Sequence, residues 1–442
     1  MRLETYKSII LSLLVLISIG LTYSIWAYQP KLEKADQSEF IQVSIKNQQS
    51  ISSIVKPMEI IFHKNKQHFV TSSETELDKV MKEISKWSFN HINDVSDRVS
   101  EKEFLHFVHG EGKTEIIFPE IVPLHLYNSV LAINEQNLPK GSFDRIVFNV
   151  KNINEKDTPV YFISYEDRKI YQSRVNSASL VNFNQNYYRF ASALYEDSTY
   201  DKHVISKNQA VFLPGNEIQI PRYTYKTSVL DTDKFKDALF SNPNYVEHDP
   251  VTTGEVFMDG LSVLNIDWDT MTLNYVNHTK DANFQGTSSE LLRKSVEFVN
   301  NHAGWEDRYR FAGINSLDQK ITFRLFVDGL PVFNKSGMTE IVQFWGKDDV
   351  YQYSRPFFTL DFPMPPSELE KAKMADGEEV LQELKAIKNI KLELVQDIRI
   401  GYELKRDTEV LVSLEPAWYY RYAGVWKRVP FGKPGGEISG LE

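Results

Sequence analysis

From Ser8 to Gln29 the chain carries no charged side chain, and the stretch from Ile9 to Leu21 is almost wholly Leu, Ile and Val with Ser and Gly between them. Such a run constrains the fold more than anything after it, because about twenty apolar residues in a helix match the hydrocarbon thickness of a bilayer. About eleven Leu, Ile and Val side chains, each worth roughly −0.3 to −0.6 kcal/mol near the bilayer centre, outweigh the scattered Ser and Thr. Trp26 and Tyr28 follow as an interfacial aromatic pair, and Arg2 and Lys7 precede the run on what would be the cytoplasmic side. The reading is a cytoplasmic N-terminus over 1–7, a single transmembrane helix over 8–29, and extracytoplasmic domains, hence a single-pass protein of the cell membrane. A cleaved signal peptide is the rival. Ser18-Ile19-Gly20 loosely fits a cleavage site, but the apolar character continues past it to Trp26. Ser18 with Thr22 and Gly20 with Ser24 recur at helical spacing, giving a small-residue face for close approach of another helix.

The rest of the 442-residue chain exceeds what one hydrophobic core usually supports, so more than one domain is expected. Its formal net charge of −10 and lack of a basic run argue against nucleic acid as a partner. The absence of cysteine excludes disulfides, zinc-thiolate sites and thiol catalysis, and with the anchor points to a bacterial envelope protein.

Strand and helix signals alternate along the chain. Met58 to Phe62 and Gln67 to Val70 read as a hairpin; a helix follows, with Ser73 and Glu76 as a capping box and Leu77, Val80, Met81, Ile84 and Trp87 on one face. Shorter helical stretches are expected near Glu101 to His109 and Leu124 to Ile133, then strands over 145–150, 160–165 and 169–175, and an aromatic helical segment around Tyr187 to Leu194. Beyond Tyr200, three units each place a short helix before antiparallel strands, with Asp231, Thr287 and Asp376 at the helix starts. The fold class is α+β: three ectodomain domains of antiparallel sheets with packed helices, over 30–199, 200–281 and 282–430, and a loose tail over 431–442.

Searches for chemistry fail on context. Ser53-Ile-Val-Lys56 has the spacing of a serine acyl-transfer motif, but Pro57 follows at once and the companion motifs are missing. Gly112-Lys113-Thr114 lacks the glycine that a phosphate loop needs at position 107. His106 and His109, with Glu103 or Glu111, could share a metal, yet two histidines make a thin site and exposed helical positions are the preferred reading for both. Asp267-Trp-Asp269 reads as a hairpin corner rather than a glycosidase pair. No catalytic residue, cofactor or metal is expected, and the aromatic-rich strands, read as exposed, favour binding over catalysis.

The anchor ending Thr22-Tyr-Ser-Ile-Trp-Ala-Tyr-Gln-Pro30, the strand-turn Val327-Asp-Gly-Leu-Pro-Val-Phe333, and Val410-Leu-Val-Ser-Leu-Glu-Pro-Ala-Trp-Tyr-Tyr420 running on to Gly424-Val-Trp426 resemble the YycH (WalH) family. These are membrane-anchored regulators of the YycFG/WalRK two-component system of low-GC Gram-positive bacteria. The resemblance implies a non-enzymatic regulator of an essential sensor histidine kinase (YycG/WalK-like) controlling cell-wall metabolism, working through transmembrane contacts with the kinase and a YycI-like companion. An extracytoplasmic binding protein for a wall-derived or lipid ligand is the alternative, and a cell-wall hydrolase the remoter one.

Overall fold

The computed structural model describes residue 7, residues 13–18 and 21–22, and residues 48–431 apart from 129, 134–137, 279–285, 348 and 365–369. The chain divides into two compact units, 1–41 and 42–442. In the first, residues 13–18 and 21–22 are helical and exposed, and Thr22 Oγ1 donates to the Ser18 carbonyl at 2.8 Å. The membrane-spanning anchor over 8–29 and the cell-membrane localisation built on it are corrected here. No helix among the described residues is long and apolar enough to cross a membrane; the helical stretches that are described fall short of the roughly twenty residues a span needs.

The second unit begins with a ten-stranded sheet among the described residues. Its strands are β1 (Glu59–Lys64), β2 (Gln67–Thr71), β3 (Ser88–Asp94), β4 (Lys113–Pro123), β5 (Ala132–Ile133), β6 (Ser142–Asn149), β7 (Asp157–Ser164), β8 (Lys169–Asn176), β9 (Thr199–Ser206) and β10 (Gln209–Pro214). Their order is β10-β9-β2-β1-β4-β6-β7-β8-β3-β5. The β1–β2 turn needs positive φ at Asn65 and Lys66, +55° and +61°, as a two-residue hairpin of this hand requires. Glu111 holds it: its carboxylate accepts the Asn65 and Lys66 amides at 3.0 and 3.1 Å and pairs with Lys151 at 2.5 Å.

Alternation along the strands gives the sheet two different faces. One face, with Ile60, Phe62, Ile116, Phe118, Ile146, Phe148 and Phe162, packs on helix α1 (Glu74–Ile84) through Leu77, Val80 and Ile84, and on the helix Ser177–Asn186 through Leu180 and Phe183. Here α2 is Glu101–His109 and α3 is Ser177–Asn186. Trp87 seals this core edge-on to Phe148 and Phe183 at 5.2 and 5.9 Å. The other face meets α2 through Phe104 and Val108 on Val147, Ile163 and Ile170. Covering both faces explains apolar runs such as Ile116-Ile117-Phe118 where a one-sided sheet would alternate.

Apart from a two-stranded sheet that pairs Ile218–Pro221 with Lys371–Met374, the strands of the remaining chain form a larger sheet, fourteen-stranded among the described residues. Helix α4 (Ser288–Asn301) starts at a complete capping box between Thr287 and Glu290 and buries Leu292, Val296 and Val299. Helix α5 (Gly377–Ala386) starts at Asp376, whose carboxylate accepts the Glu379 amide, and packs in a cluster with Val395, Ile398, Trp418 and Leu213. Three strands matter below: β11 (Leu330–Phe333), β12 (Val395–Arg406) and β13 (Leu411–Tyr422). The β12–β13 ladder runs from Val395↔Tyr422 to Arg406↔Val412. The antiparallel strands on the far side join this half through β11, whose parallel pairing with β12 consists of Val332↔Tyr402 and Phe333↔Glu403.

Two local expectations change. Ser73 precedes α1 but makes no side-chain cap; its place is taken by acidic Glu74 and Glu76 in the first turn. The aromatic residues read as exposed are core: Tyr353, Tyr402, Trp418, Tyr419 and Tyr420 are each at most 3 % exposed. Strands buried on both faces place aromatics inside that a one-sided sheet would show to water.

Asp307 caps the strand Phe358–Pro363 at the end of the larger sheet by meeting its Leu360 N–H. Its carboxylate accepts that amide at 3.2 Å and the Thr359 hydroxyl at 3.3 Å. Burial, only partly offset by these donors, pushes the Asp307 carboxyl up to about 7. The folded state therefore holds a proton that the unfolded chain has lost above about 4, and stability from this group falls as pH rises from 4 through 7. Asp307→Asn keeps an acceptor without the charge; it should raise stability at pH 8 by on the order of 1–3 kcal/mol. It should also remove the downward contribution of this group between pH 4 and 7, both effects read by urea denaturation across pH.

Candidate functional site

The second face of the first sheet carries charge where its neighbours are apolar. Cross-strand register aligns Ile61 with Val70 and Glu115, His63 with His68, and Glu59 with Ile117, which in turn pairs with Arg145. Glu115 is the hub and is fully buried. Its Oε1 accepts from His63 Nε2 and from His109 Nδ1, each at 2.5 Å, and its Oε2 accepts from Arg145 Nη1 at 3.0 Å. Arg145 also pairs with Asp144 at 3.0 Å and lies over the Tyr165 ring at 3.6 Å.

The network assigns the protons. The Ala210 N–H donates to the Tyr165 oxygen at 2.9 Å, so the hydroxyl proton is directed at His109 Nε2, 2.7 Å away. His109 then accepts on Nε2 and donates from Nδ1 to Glu115, as a neutral ring. Burial pushes the His109 imidazole down to about 4 despite Glu115 beside it. His68, at 2.7 Å from His63, is likewise lowered to about 4 by burial and by His63. Burial alone would raise Glu115, but the two histidines donating into it hold its carboxyl well below the usual range.

His63, His109 and Glu115 converge as metal ligands do. Their N···O separations, however, are hydrogen-bond lengths of 2.5 Å. Ligands bonded at about 2.0–2.1 Å to one tetrahedral ion stand roughly 3.3 Å apart. Arg145 on Oε2 adds a positive charge that a cation would have to face. As arranged, the donors satisfy one another.

Beside this hub lies a chamber of about 1140 Å³ between the first sheet and the β12–β13 hairpin, with Glu59, Ile61, Ile117 and Tyr200 on one side and Ile398, Arg399 and Ile400 on the other. Contacts across it tie the two sheets together: Gln209 Nε2 donates to the Gln396 carbonyl at 2.5 Å, Gln396 Nε2 to Glu166 at 2.8 Å, and Arg421 pairs with Glu120 at 2.5 Å. Burial raises Glu59 and Glu120 and lowers Arg399 to about 10.

The residues singled out from sequence fall differently. Ser18 and Thr22 lie one turn apart on the exposed helical segment, while Gly20, Ser24, Trp26 and Tyr28 lie outside the described residues, as does the tail beyond 431. Ser53 and Lys56 do not meet: the serine hydroxyl donates to the Ser50 carbonyl at 2.8 Å, and the lysine pairs with Asp78 at 2.7 Å. Of the two histidines read as exposed, His106 is and His109 is buried in the hub. Asp267 closes a corner by accepting the Asp269 and Thr270 amides at 2.8 and 3.0 Å. Glu115, His63 and Glu59 were legible only as polar residues sharing parity with apolar strand neighbours.

Comparison with known proteins covers almost the whole chain. The family model described as YycH protein, N-terminal domain, matches residues 4–192, and YycH protein, C-terminal domain, matches 208–436. The two-component system WalR/WalK regulatory protein YycH of Bacillus subtilis (strain 168) is 26% identical over 454 aligned residues, covering 98% of this chain and 97% of that protein. The crystal structure of YycH from Bacillus subtilis superposes with a TM-score of 0.72 at 23% identity, over 88% of this chain and 99% of the solved one, a likeness of fold. The two domain models follow one another along most of the chain, and the chain belongs to the YycH family.

Proposed function

We propose that this chain regulates, without catalysis, a sensor histidine kinase of a WalR/WalK-type two-component system that governs cell-wall metabolism, together with a YycI-like companion. The observation that carries this reading is the 26% identity, sustained over 98% of the chain, to a WalR/WalK regulatory protein. Support also comes from the separation of Ser53 and Lys56 and from a hub whose charges are spent on each other. A regulator of this kind acts by binding one signalling arrangement of the kinase better than the other. A difference of about 1.4 kcal/mol changes their ratio tenfold. The small residues Ser18, Gly20, Thr22 and Ser24 are the proposed contact.

Deleting the gene should change output from a reporter of the response regulator at least severalfold. The wild-type chain and Ser53→Ala should restore it equally, and the tagged chain should co-purify with the kinase. An unchanged reporter with no recovered kinase would remove the regulatory reading, whereas failure of Ser53→Ala alone would restore the serine-hydrolase one.

A further inference from the structure

Two guanidiniums that line the chamber beside the hub keep donors without an acceptor. Arg399 and Arg421 are diagonal neighbours on one face of the β12–β13 hairpin, since Asp397 faces Arg421 across the ladder and Arg399 follows it by two residues. Among the described residues each is ion-paired with a single carboxylate: Arg399 through Nη2 with Asp397, and Arg421 through Nη1 with Glu120 at 2.5 Å. Arg399 Nη1 meets the Met58 thioether, a weak acceptor. The Nε of both side chains is buried and has no hydrogen-bond partner among the described residues. Buried donors left unmet are costly, and a planar oxyanion takes two parallel N–H groups of a guanidinium at once.

Both side chains reach from the hairpin to the same stretch of the first sheet. Arg421 ends at Glu120, and Arg399 at Met58, whose N–H donates to the Ile117 carbonyl at 2.8 Å. Arg324 brings a third positive charge: burial lowers Arg399, and against the pull of Glu59 the like charges of Arg421 and Arg324 lower it further. An anion between these groups relieves their mutual repulsion. Glu59, half-buried, is faced by Arg399 and Arg145. Burial raises both Glu59 and Glu120, so a proton taken up by either offsets the charge of an entering anion. Beside the arginines, Ile61, Val70 and Ile117 form one apolar patch of the wall. The volume of about 1140 Å³ matches the upper end of small-molecule pockets.

We propose that this chamber binds an oxyanion carried on an apolar body, a carboxylate or a phosphate monoester, with Arg399 and Arg421 drawn onto its oxygens and the body against the isoleucine wall. The inference goes beyond the regulatory reading and stands without it. The test is isothermal titration of the full chain with four probes: hexanoate, hexyl phosphate, 1-hexanol and hexylamine. At least one of the two anions should bind tenfold or more tightly than the alcohol and the amine, and which one identifies the source. Arg421→Lys keeps a positive charge beside Glu120 but removes the Nε–H and the fork; it should weaken that anion about tenfold while circular dichroism and melting stay native. Arg399→Lys should do the same. Lys371→Gln removes an exposed charge from the rim and should leave the affinity within about twofold. Equal binding of hexanol or hexylamine, undiminished anion binding by a folded arginine variant, or an equal loss in Lys371→Gln overturns the proposal. Should neither arginine variant fold, the wild-type preference for anion over alcohol decides the matter by itself.

Discussion

Glu115→Ala will destabilise the folded body by about 3–5 kcal/mol, because it strands Arg145, His63 and His109 in a buried site without their shared acceptor. Urea denaturation followed by tryptophan fluorescence reads this directly, and a loss under about 1 kcal/mol would mean water reaches the hub and replaces the carboxylate. Pairing Glu115→Leu with Arg145→Met should recover part of the loss, since a buried ion pair costs more when broken than when replaced whole. The acid response follows from the same groups. His68 and His109, lowered to about 4, are bound by protons only in the unfolded chain between about 6.5 and 4, so stability falls as pH drops through that window. Glu115, lowered well below 4.5, adds stability above that value that is lost as pH falls further. Acid sensitivity should therefore begin near pH 6 and steepen below 4.5. Asp307 works in the opposite sense, so Asp307→Asn should make the acid limb steeper.

Gly329→Ala should cost about 2–4 kcal/mol, combining left-handed backbone strain with overpacking. The glycine has φ +78°, and a Cβ there would stand 2.2 Å from the Ser72 carbonyl oxygen of the first sheet's connection. Backbone cannot yield as a side-chain tip can. Gly329 also lines the chamber, so the variant should unfold at lower urea with the loss shared by tryptophans of both sheets. The exposed Gly424, at the same φ of +78°, has open space where a Cβ would go, and Gly424→Ala serves as the control for strain alone.

That turn shows what the sequence could and could not tell. Asp328-Gly329 between Val327 and Leu330 is an Asp-Gly hairpin turn, readable because both residues need positive φ. Its docking against Ser72, more than two hundred positions earlier, has no local trace. The Thr287 box and the Asp376 cap were equally legible, since a cap is satisfied by atoms within one turn. Pro416 lies inside β13, which runs through it from Leu411 to Tyr422. On one side β13 pairs with Tyr223–Val229 up to Leu414 and resumes with Val425–Arg428 at Tyr419. Pro416 sits in the gap, where no strand among the described residues needs its missing donor. The charged hub escaped notice because Glu115 and His63 lie about fifty positions apart, and only strand register brings them together.

The narrow parallel ladder between β11 and β12 has a consequence for how the molecule assembles. Its two pairs link residues roughly 70 positions apart, whereas the hairpins on either side close over a few residues. The hairpins can form early from near neighbours in the chain, whereas this ladder, like the longer-range Thr272↔Pro356 and Tyr223↔Leu414 pairings, must be a later, slower event. Until it closes, the edges of both halves stand open to strands of other molecules. Crowded synthesis should thus be limited by joining the halves, and pulsed hydrogen exchange during refolding would find the amides of Val332 and Phe333 protected after those of the β12–β13 hairpin.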